Sequence, residues 1–255
     1  MTRLYHWLFW TSALSTTVSS TRIIDIQGPA FLSPLQGQSV KNVTGVVTAK
    51  VPLIFSLCHV PVAQRSAQAS TGFYLVGEKS DDIRVSNGIY VYSTYASVLG
   101  KVQVGDAISL DGTVAEFRSA SNPSYLFITE ITYPGNVTVL SSNNTITPVV
   151  LGKDRSPPTQ ALSALDKGAD GWLSVPNNQS LISTTNATLQ PDKYGLDFWE
   201  SLEGQLVTIP SPAGLGFQNN YGEFWVHGDW PVTGKNKRGG LSITFGKFIS
   251  SVSLF

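Results

Sequence analysis

Few residues of this sequence have the type and spacing that catalysis requires. A nucleophilic triad needs a histidine beside its nucleophile, and the chain contains His6, His59 and His227. The first two lie in apolar stretches, and His227 is followed by Gly-Asp-Trp, which contains no nucleophile. A lone histidine beside a strand is more often structural. We therefore expect His227 to be structural, and no catalytic residue is assigned.

Paired acidic residues are the next candidates, because carboxylates act as general acids, bases and metal ligands. The Asp81-Asp82 pair lies between two predicted strands, where a solvated turn is expected. The segment 166–170 resembles the start of a calcium loop but lacks the later ligands. Glu200 and Glu203 are one helical turn apart and are expected to cap or decorate a helix. The sequence predicts no metal site and no cofactor in this chain.

One basic cluster follows two tryptophans near the C-terminal end. Basic side chains interleaved with aromatic ones can track a phosphate backbone and stack on bases, whereas a solvated hairpin loop is the alternative. One such cluster is more often a solvated hairpin loop, and nucleic acid or glycan is the class of partner that these residues would contact if they bind one. The candidate contact residues are Lys235, Lys237, Arg238, Trp225 and Trp230.

Four aromatic residues in predicted strands are also ambiguous. They could form a ligand-binding face or fill the protein interior, and we expect them to belong to the core. They are Tyr74, Tyr90, Tyr92 and Phe117.

The composition limits the class of protein that must position these residues. The chain has 255 residues, of which 42% are hydrophobic and 13% charged, with 17 basic and 17 acidic side chains. A zero net charge supplies no general field to attract nucleic acid or an anionic membrane. Low charge together with 23 glycines and 14 prolines indicates a turn-rich β protein. The single Cys58 excludes an internal disulfide and zinc sites built from several thiolates.

The N-terminus predicts secretion. Residues 1–20 resemble a signal peptide, with Arg3 before the apolar run 4–14 and small residues before a cut at Thr21. This run is shorter than the roughly 20 residues that span a bilayer, so we expect an extracellular protein and no membrane contact. Secretion would expose five Asn-X-Ser/Thr glycosylation acceptors. They are Asn42, Asn136, Asn143, Asn178 and Asn186.

The pattern of β-branched and alternating residues predicts a mainly all-β fold. Five strands are expected at 40–50, 72–77, 88–93, 107–117 and 125–131. Gly45 and Gly112 interrupt the first and fourth strands and permit sharp coiling. These features predict a five-stranded barrel of the oligonucleotide/oligosaccharide-binding (OB) type.

The rest of the chain is expected to be less regular. We predict the barrel over 21–147, a loop-rich connector over 148–199, the start of an incomplete second β-module over 200–245, and an aberrant tail over 246–255. Helix candidates in this region are 159–165 and 195–202, and strand candidates are 204–210, 223–227 and 241–245.

Several motifs occur together in one order along the chain. They are IDIQGPAFLSPLQGQ at 24–38, VTGVVTA at 43–49, GFYLVG at 72–77, NGIYVY at 87–92, DFWESLEG at 197–204 and RGGL at 238–241. From about residue 23 to 245 the chain thereby resembles secreted proteins of the endonuclease/exonuclease/phosphatase superfamily of fungi and bacteria.

The resemblance implies a role for the chain. It corresponds to the N-terminal, non-catalytic β-modules of that family, which a metal-dependent phosphodiesterase domain follows. The catalytic residues of that domain have no counterparts here, so a divalent metal is expected only for the absent domain, and this chain alone is expected to be inactive. The alternatives are a stand-alone secreted binding module for glycan or nucleic acid and a non-functional product of a misannotated gene.

Two segments depart from the family pattern. Residues 51–70 are an apolar insert containing Cys58 and His59, where the family has only a few residues. The insert is interpreted as a translated intron or as a genuine loop insertion, which surface loops tolerate. The tail 246–255 is interpreted in the same way, as intron sequence read to its first stop.

Overall fold

The structure is a computed structural model that describes residues 20–52, 70–120, 125–159, 161–164, 185–218, 224–232 and 234–242. Its helices are α1 (Ile23–Gln27), α2 (Ala96–Leu99) and α3 (Gly195–Glu200). Its strands are β1 (Ser39–Pro52), β2 (Ser70–Val76), β3 (Gly88–Tyr92), β4 (Ala107–Phe117), β5 (Ile128–Ser141), β6 (Val149–Val150), β7 (Val207–Thr208), β8 (Ala213–Gly214) and β9 (Val226–His227). The predictions for residues 1–19, Cys58, His59, 166–170, Asn178 and 246–255 concern positions outside the described residues.

The first five strands pair with one another in a closed barrel of order β1-β2-β3-β5-β4. Every neighbouring pair is antiparallel except β3 and β5, which run parallel through Tyr90 opposite Glu130 and Val91 opposite Ile131. The predicted mainly-β fold is confirmed. The insert expected at 51–70 begins and ends within the β1–β2 pair, because Val51 pairs with Gly72.

The predicted end of the fifth strand at residue 131 is wrong, since β5 continues to Ser141. The sequence Tyr133-Pro134-Gly135-Asn136 has the composition of a turn. In the structure these four residues remain part of β5, and Tyr133 and Asn136 adopt positive φ angles of 50° and 51°. Register shifts on both sides of the pair between Asp111 and Gly135 let β5 bend around β4 without leaving it.

Alternate residues of the barrel strands fill its interior. Phe73, Leu75, Ile89 and Val91 are fully buried, and each such side chain contributes about 1.5–3 kcal/mol of hydrophobic stabilisation. Gly112 lies at a register shift, where an added Cβ would be 2.3 Å from Ile131 Cγ2. The glycine therefore lets β4 and β5 cross closely, as its position within a strand predicts.

The expectation that Tyr74, Tyr90, Tyr92 and Phe117 belong to the core is wrong. Successive side chains of a strand point to opposite faces, and Phe73 and Leu75 occupy the interior on either side of Tyr74. The tyrosines consequently lie on the outside of the barrel, where a phenol can keep its hydroxyl hydrogen-bonded. Tyr92 is 42% exposed and Phe117 is 51% exposed.

Two short helices lie at opposite ends of the barrel. The Gln27 side chain at the end of α1 donates to the Gly88 carbonyl at the start of β3, at 2.7 Å. Lys50 near the end of β1 donates to the carbonyls of Leu99 and Val102, at 2.7 and 3.0 Å, and so holds α2 at the other end.

The region after the barrel has its own small core. β6 pairs in parallel with β7, so strands on either side of the boundary expected at residue 200 share one sheet. α3 lies within the predicted segment 195–202, whereas the described residues of 159–165 are not helical. The buried residues beneath this sheet are Leu151, Phe198 and Leu202. Within the described part of the chain, no helix is long and apolar enough to cross a membrane.

Candidate functional site

The turn after α3, residues 201–205, lies against the end of the barrel where β3 and β5 begin. The Ser86 hydroxyl donates to the Glu203 carbonyl at 2.5 Å, and the Gln205 side-chain amide donates to Ser86 Oγ at 3.1 Å. Gly204 has a φ of +70° and packs directly on Gly88 of β3. Glycines on both sides allow the two backbones to approach without a Cβ between them.

Two carboxylates accept hydrogen bonds from Thr129 of β5 at this end of the barrel. The Thr129 amide donates to Glu203 Oε1 at 2.8 Å, and the Thr129 hydroxyl donates to Glu116 Oε1 at 2.9 Å. Glu116 Oε1 also accepts from the Ser33 amide at 2.6 Å. The other oxygens, Glu116 Oε2 and Glu203 Oε2, are buried without a hydrogen-bond partner among the described residues.

Two more carboxylates complete what we call the carboxylate cluster, which comprises Glu116, Glu130, Glu200 and Glu203. Burial raises the pKa of Glu203 to about 8, and the charge of Glu116 adds to this shift. Burial and the Glu116 charge raise the pKa of Glu130 to about 7. Burial also raises the pKa of Glu200 and, to a smaller extent, of Glu116. The cluster therefore favours bound protons at neutral pH.

The expectation that Glu200 and Glu203 merely cap or decorate a helix is wrong for Glu203. Glu203 lies beyond the last residue of α3, and its side chain binds the barrel instead of pointing into solvent. The spacing of Glu200 and Glu203 was visible in the sequence. No local pattern indicated Glu116 or Glu130, because both occupy ordinary strand positions far away in the chain.

The outer face of β2 and β3 carries three tyrosines, Tyr74, Tyr90 and Tyr92, which we call the tyrosine surface. The rings of Tyr74 and Tyr90 have centroids 5.0 Å apart and are tilted by 43°. The Tyr90 hydroxyl donates to the Thr71 carbonyl at 2.8 Å, which fixes the ring. Burial raises the pKa of both Tyr74 and Tyr90, so these phenols are neutral at physiological pH. Tyr74 and Tyr90 are half-buried, whereas Tyr92 is exposed, so Tyr92 is the ring of this surface that is most accessible for stacking.

The two predicted tryptophan contacts have different environments. Trp225 is 79% exposed, and its carbonyl accepts from the Leu215 amide at 2.8 Å. Trp230 instead packs against the core formed by Leu151 and its neighbours. Of these two tryptophans, Trp225 is the one that a ligand could reach. Sequence reasoning missed Phe217 and Phe224, which are also exposed beside the β8–β9 pair.

The predicted basic contacts lie together in one exposed turn. Lys235, Lys237 and Arg238 are all exposed, and Lys235 forms a β-bridge with Leu241. The Asn236 side chain shapes the turn by accepting from the Arg238 amide at 2.8 Å. The three cations are therefore available to an anionic partner.

The remaining candidate residues have structural environments. His227 is buried, with Nδ1 at 2.9 Å from the Gly228 carbonyl oxygen. Asp82 forms an ion pair with Arg84 at 2.6 Å in an exposed turn, which agrees with the solvated turn expected there. Across the described residues, no group of three or more His, Cys, Asp or Glu side chains has the arrangement to hold a metal ion.

A family model described as a domain of unknown function (DUF8508) matches residues 150–251. The match begins after the barrel and covers the segment from which Glu200 and Glu203 reach the barrel end. No curated protein matches the chain.

Proposed function

We propose that the chain is the non-catalytic, ligand-binding region of a secreted hydrolase of the endonuclease/exonuclease/phosphatase superfamily. Its ligand in this proposal is single-stranded nucleic acid, bound on the tyrosine surface. The observation that carries the proposal is the close pair of Tyr74 and Tyr90, 5.0 Å apart, beside the exposed ring of Tyr92. Aromatic rings on an outer strand surface stack on any base, because every base has a π face.

The proposal includes an OB-type barrel. The strand order β1-β2-β3-β5-β4 and the parallel pairing of β3 with β5 support it. In OB barrels the surface of strands 2 and 3 binds oligonucleotides and oligosaccharides. The tyrosine surface lies on the same two strands of this barrel.

In the proposed role the chain holds substrate, and cleavage belongs to a separate metal-dependent domain. The ordered motifs between about residues 23 and 245 support this division, since the resemblance assigns them to the modules before the catalytic domain. Secretion is part of the same proposal and is supported by Arg3 and the apolar run 4–14. The purified chain should then show no DNA cleavage with added divalent metal.

The binding role is tested by fluorescence anisotropy with a labelled single-stranded DNA at low salt. Tyr92→Ala should weaken binding about tenfold, because stacking of one base contributes about 1–3 kcal/mol. Tyr133→Ala is the matched control, since Tyr133 is 79% exposed but lies on β5. Absence of DNA binding, or equal affinities of the two variants, would contradict the proposal. Binding of a neutral hexasaccharide in place of DNA would favour the stand-alone glycan-binding alternative.

A second contact with nucleic acid is proposed at the exposed turn of Lys235, Lys237 and Arg238. The observation that favours it is the exposure of all three cations in one turn. Lys237→Glu should weaken DNA binding and reduce the dependence of log affinity on log salt by about one unit or more. The charge-matched control is Lys153→Glu, an exposed lysine in the turn after β6. Equal salt dependence of the two variants would remove the turn from the binding surface.

A further inference from the structure

The carboxylate cluster joins parts of the chain that are distant in sequence. The hydrogen bond from the Thr129 amide to Glu203 Oε1 links residues 74 positions apart, and the bond from Ser86 to the Glu203 carbonyl links residues 117 positions apart. Glu203 belongs to the segment that the DUF8508 model matches, whereas Thr129 and Ser86 belong to the barrel region. Glu203 therefore fastens the turn after α3 to the end of the barrel.

This fastening places two carboxyl groups in surroundings that disfavour two negative charges. Glu116 and Glu203 both accept hydrogen bonds from Thr129, and the second oxygen of each is buried without a partner among the described residues. A buried carboxylate oxygen without a donor loses its hydration and gains nothing in return. One proton would remove a charge and supply the missing donor, as in carboxyl pairs that share a proton.

The charged and titratable neighbours of this pair do not neutralise it. The ion pairs of the described residues involve Arg22 and Arg84 only, with partners outside the cluster. Arg155 directs its guanidinium to Ser201 Oγ at 2.8 Å and to the Phe198 ring at 5.0 Å. The titratable groups that act on Glu116, Glu200 and Glu203 from the surrounding elements are acidic or phenolic. They are Glu130 on β5, Asp197 on α3 and Tyr74 on β2.

We propose that Glu116 and Glu203 share a proton, and that this proton latches the turn after α3 onto the barrel end, so that its loss at alkaline pH releases the turn. This proposal does not rest on the proposed binding role, although Tyr74 of the tyrosine surface interacts electrostatically with Glu203. The pKa of Glu203 is raised from 4.5 to about 8 in the folded protein. The stabilising effect of the bound proton is then fully present below about pH 4.5 and is lost as the pH rises through about 8.

Hydrogen exchange of the Thr129 amide in the full chain tests the latch directly, because this amide donates to Glu203. Between about pH 6 and about pH 9, its protection factor should fall at least about tenfold after correction for intrinsic exchange. The Val114 amide is the internal control, since it donates to the Gln38 carbonyl at 3.0 Å in the barrel. Its protection should change little over the same range.

Two variants distinguish the loss of the shared proton from a general loss of stability at alkaline pH. Glu203→Gln keeps an oxygen acceptor for Thr129 but cannot ionise, so the protection of Thr129 should become independent of pH. Glu116→Gln should flatten the same dependence, and it decides the question if Glu203→Gln does not fold. Asp81→Asn removes one exposed carboxylate and should behave as the wild type.

Three results would overturn the proposal. The first is a Thr129 protection factor that does not change with pH in the wild type. The second is an equal fall in Glu203→Gln or Glu116→Gln. The third is restoration of protection at high pH by calcium in the wild type but not in Glu203→Gln, because a bound divalent cation would then take the place of the shared proton.

Discussion

The Thr129 amide on β5 donates a 2.8 Å hydrogen bond to Oε1 of Glu203, which lies in the turn after α3. The same threonine donates through its hydroxyl to Glu116 of β4 at 2.9 Å. One residue thus donates to a barrel carboxylate and to a carboxylate from the later segment. The end of the barrel is therefore a surface built by both parts of the chain.

Gly88→Ala should weaken the attachment of the turn after α3. An added Cβ would lie 2.3 Å from the Gly204 carbonyl carbon and 2.5 Å from the Gln205 nitrogen. These are backbone atoms, which cannot rotate away as the tip of a side chain can. We expect a loss of about 1–3 kcal/mol in the free energy of unfolding, measured by urea denaturation. Gly135→Ala is the control, since no atom lies within 4 Å of its added Cβ. Equal stability of the two variants would contradict the close approach.

The two tryptophans near β9 should respond differently to truncation. Trp230→Ala removes a ring that packs on the core of Leu151, Phe198 and Leu202, and should cost about 2–4 kcal/mol of stability. Trp225→Ala removes a ring that is 79% exposed and should change stability by less than about 0.5 kcal/mol. Thermal or urea unfolding followed by circular dichroism measures both. A larger loss in Trp225→Ala than in Trp230→Ala would show that the assignment of core and surface is wrong.

Asp111 should contribute to stability only above the pH at which it protonates. Its Oδ1 accepts from the Asn42 amide at 2.8 Å and its Oδ2 from the Asn136 side chain at 2.7 Å. These bonds lower its pKa below the ordinary value of 3.8. The stabilisation is thus present above about pH 4 and lost as the pH falls through the lowered pKa. Asp111→Asn should therefore lose less stability than the wild type between neutral pH and strongly acidic pH, as measured by urea unfolding. Parallel stability curves would contradict this role.

Among the glycosylation acceptors that the structure describes, Asn143 should be used more fully than Asn186. Asn143 is exposed in the segment after β5, whereas the Asn186 side chain accepts from the Leu32 amide at 2.8 Å. Glycan transfer needs an accessible side-chain amide, so the bond to Leu32 should reduce occupancy. Glycopeptide mass spectrometry after secretion from a eukaryotic host measures both sites, with Asn143→Gln as the assignment control. Higher occupancy at Asn186 would refute the ranking.

Strand prediction succeeded where the controlling interactions are local. β4 has the predicted bounds 107–117, and β1, β2 and β3 agree with their predictions to within about two residues. Alternation of apolar and polar residues is visible in a short window. It failed for β5, because a Tyr-Pro-Gly sequence that usually ends a strand is held in the sheet by its pairing with β4.

The sequence by itself determined the mainly-β class, the positions of most barrel strands and the exposed basic turn of Lys235, Lys237 and Arg238. Each depends on residue type and spacing over a few positions. Only the tertiary structure decided that Tyr74 and Tyr90 face outward and that Glu116, Glu130, Glu200 and Glu203 lie together. The physical reason is that burial and electrostatic coupling depend on distance in space, and the Thr129–Glu203 bond spans 74 positions of sequence.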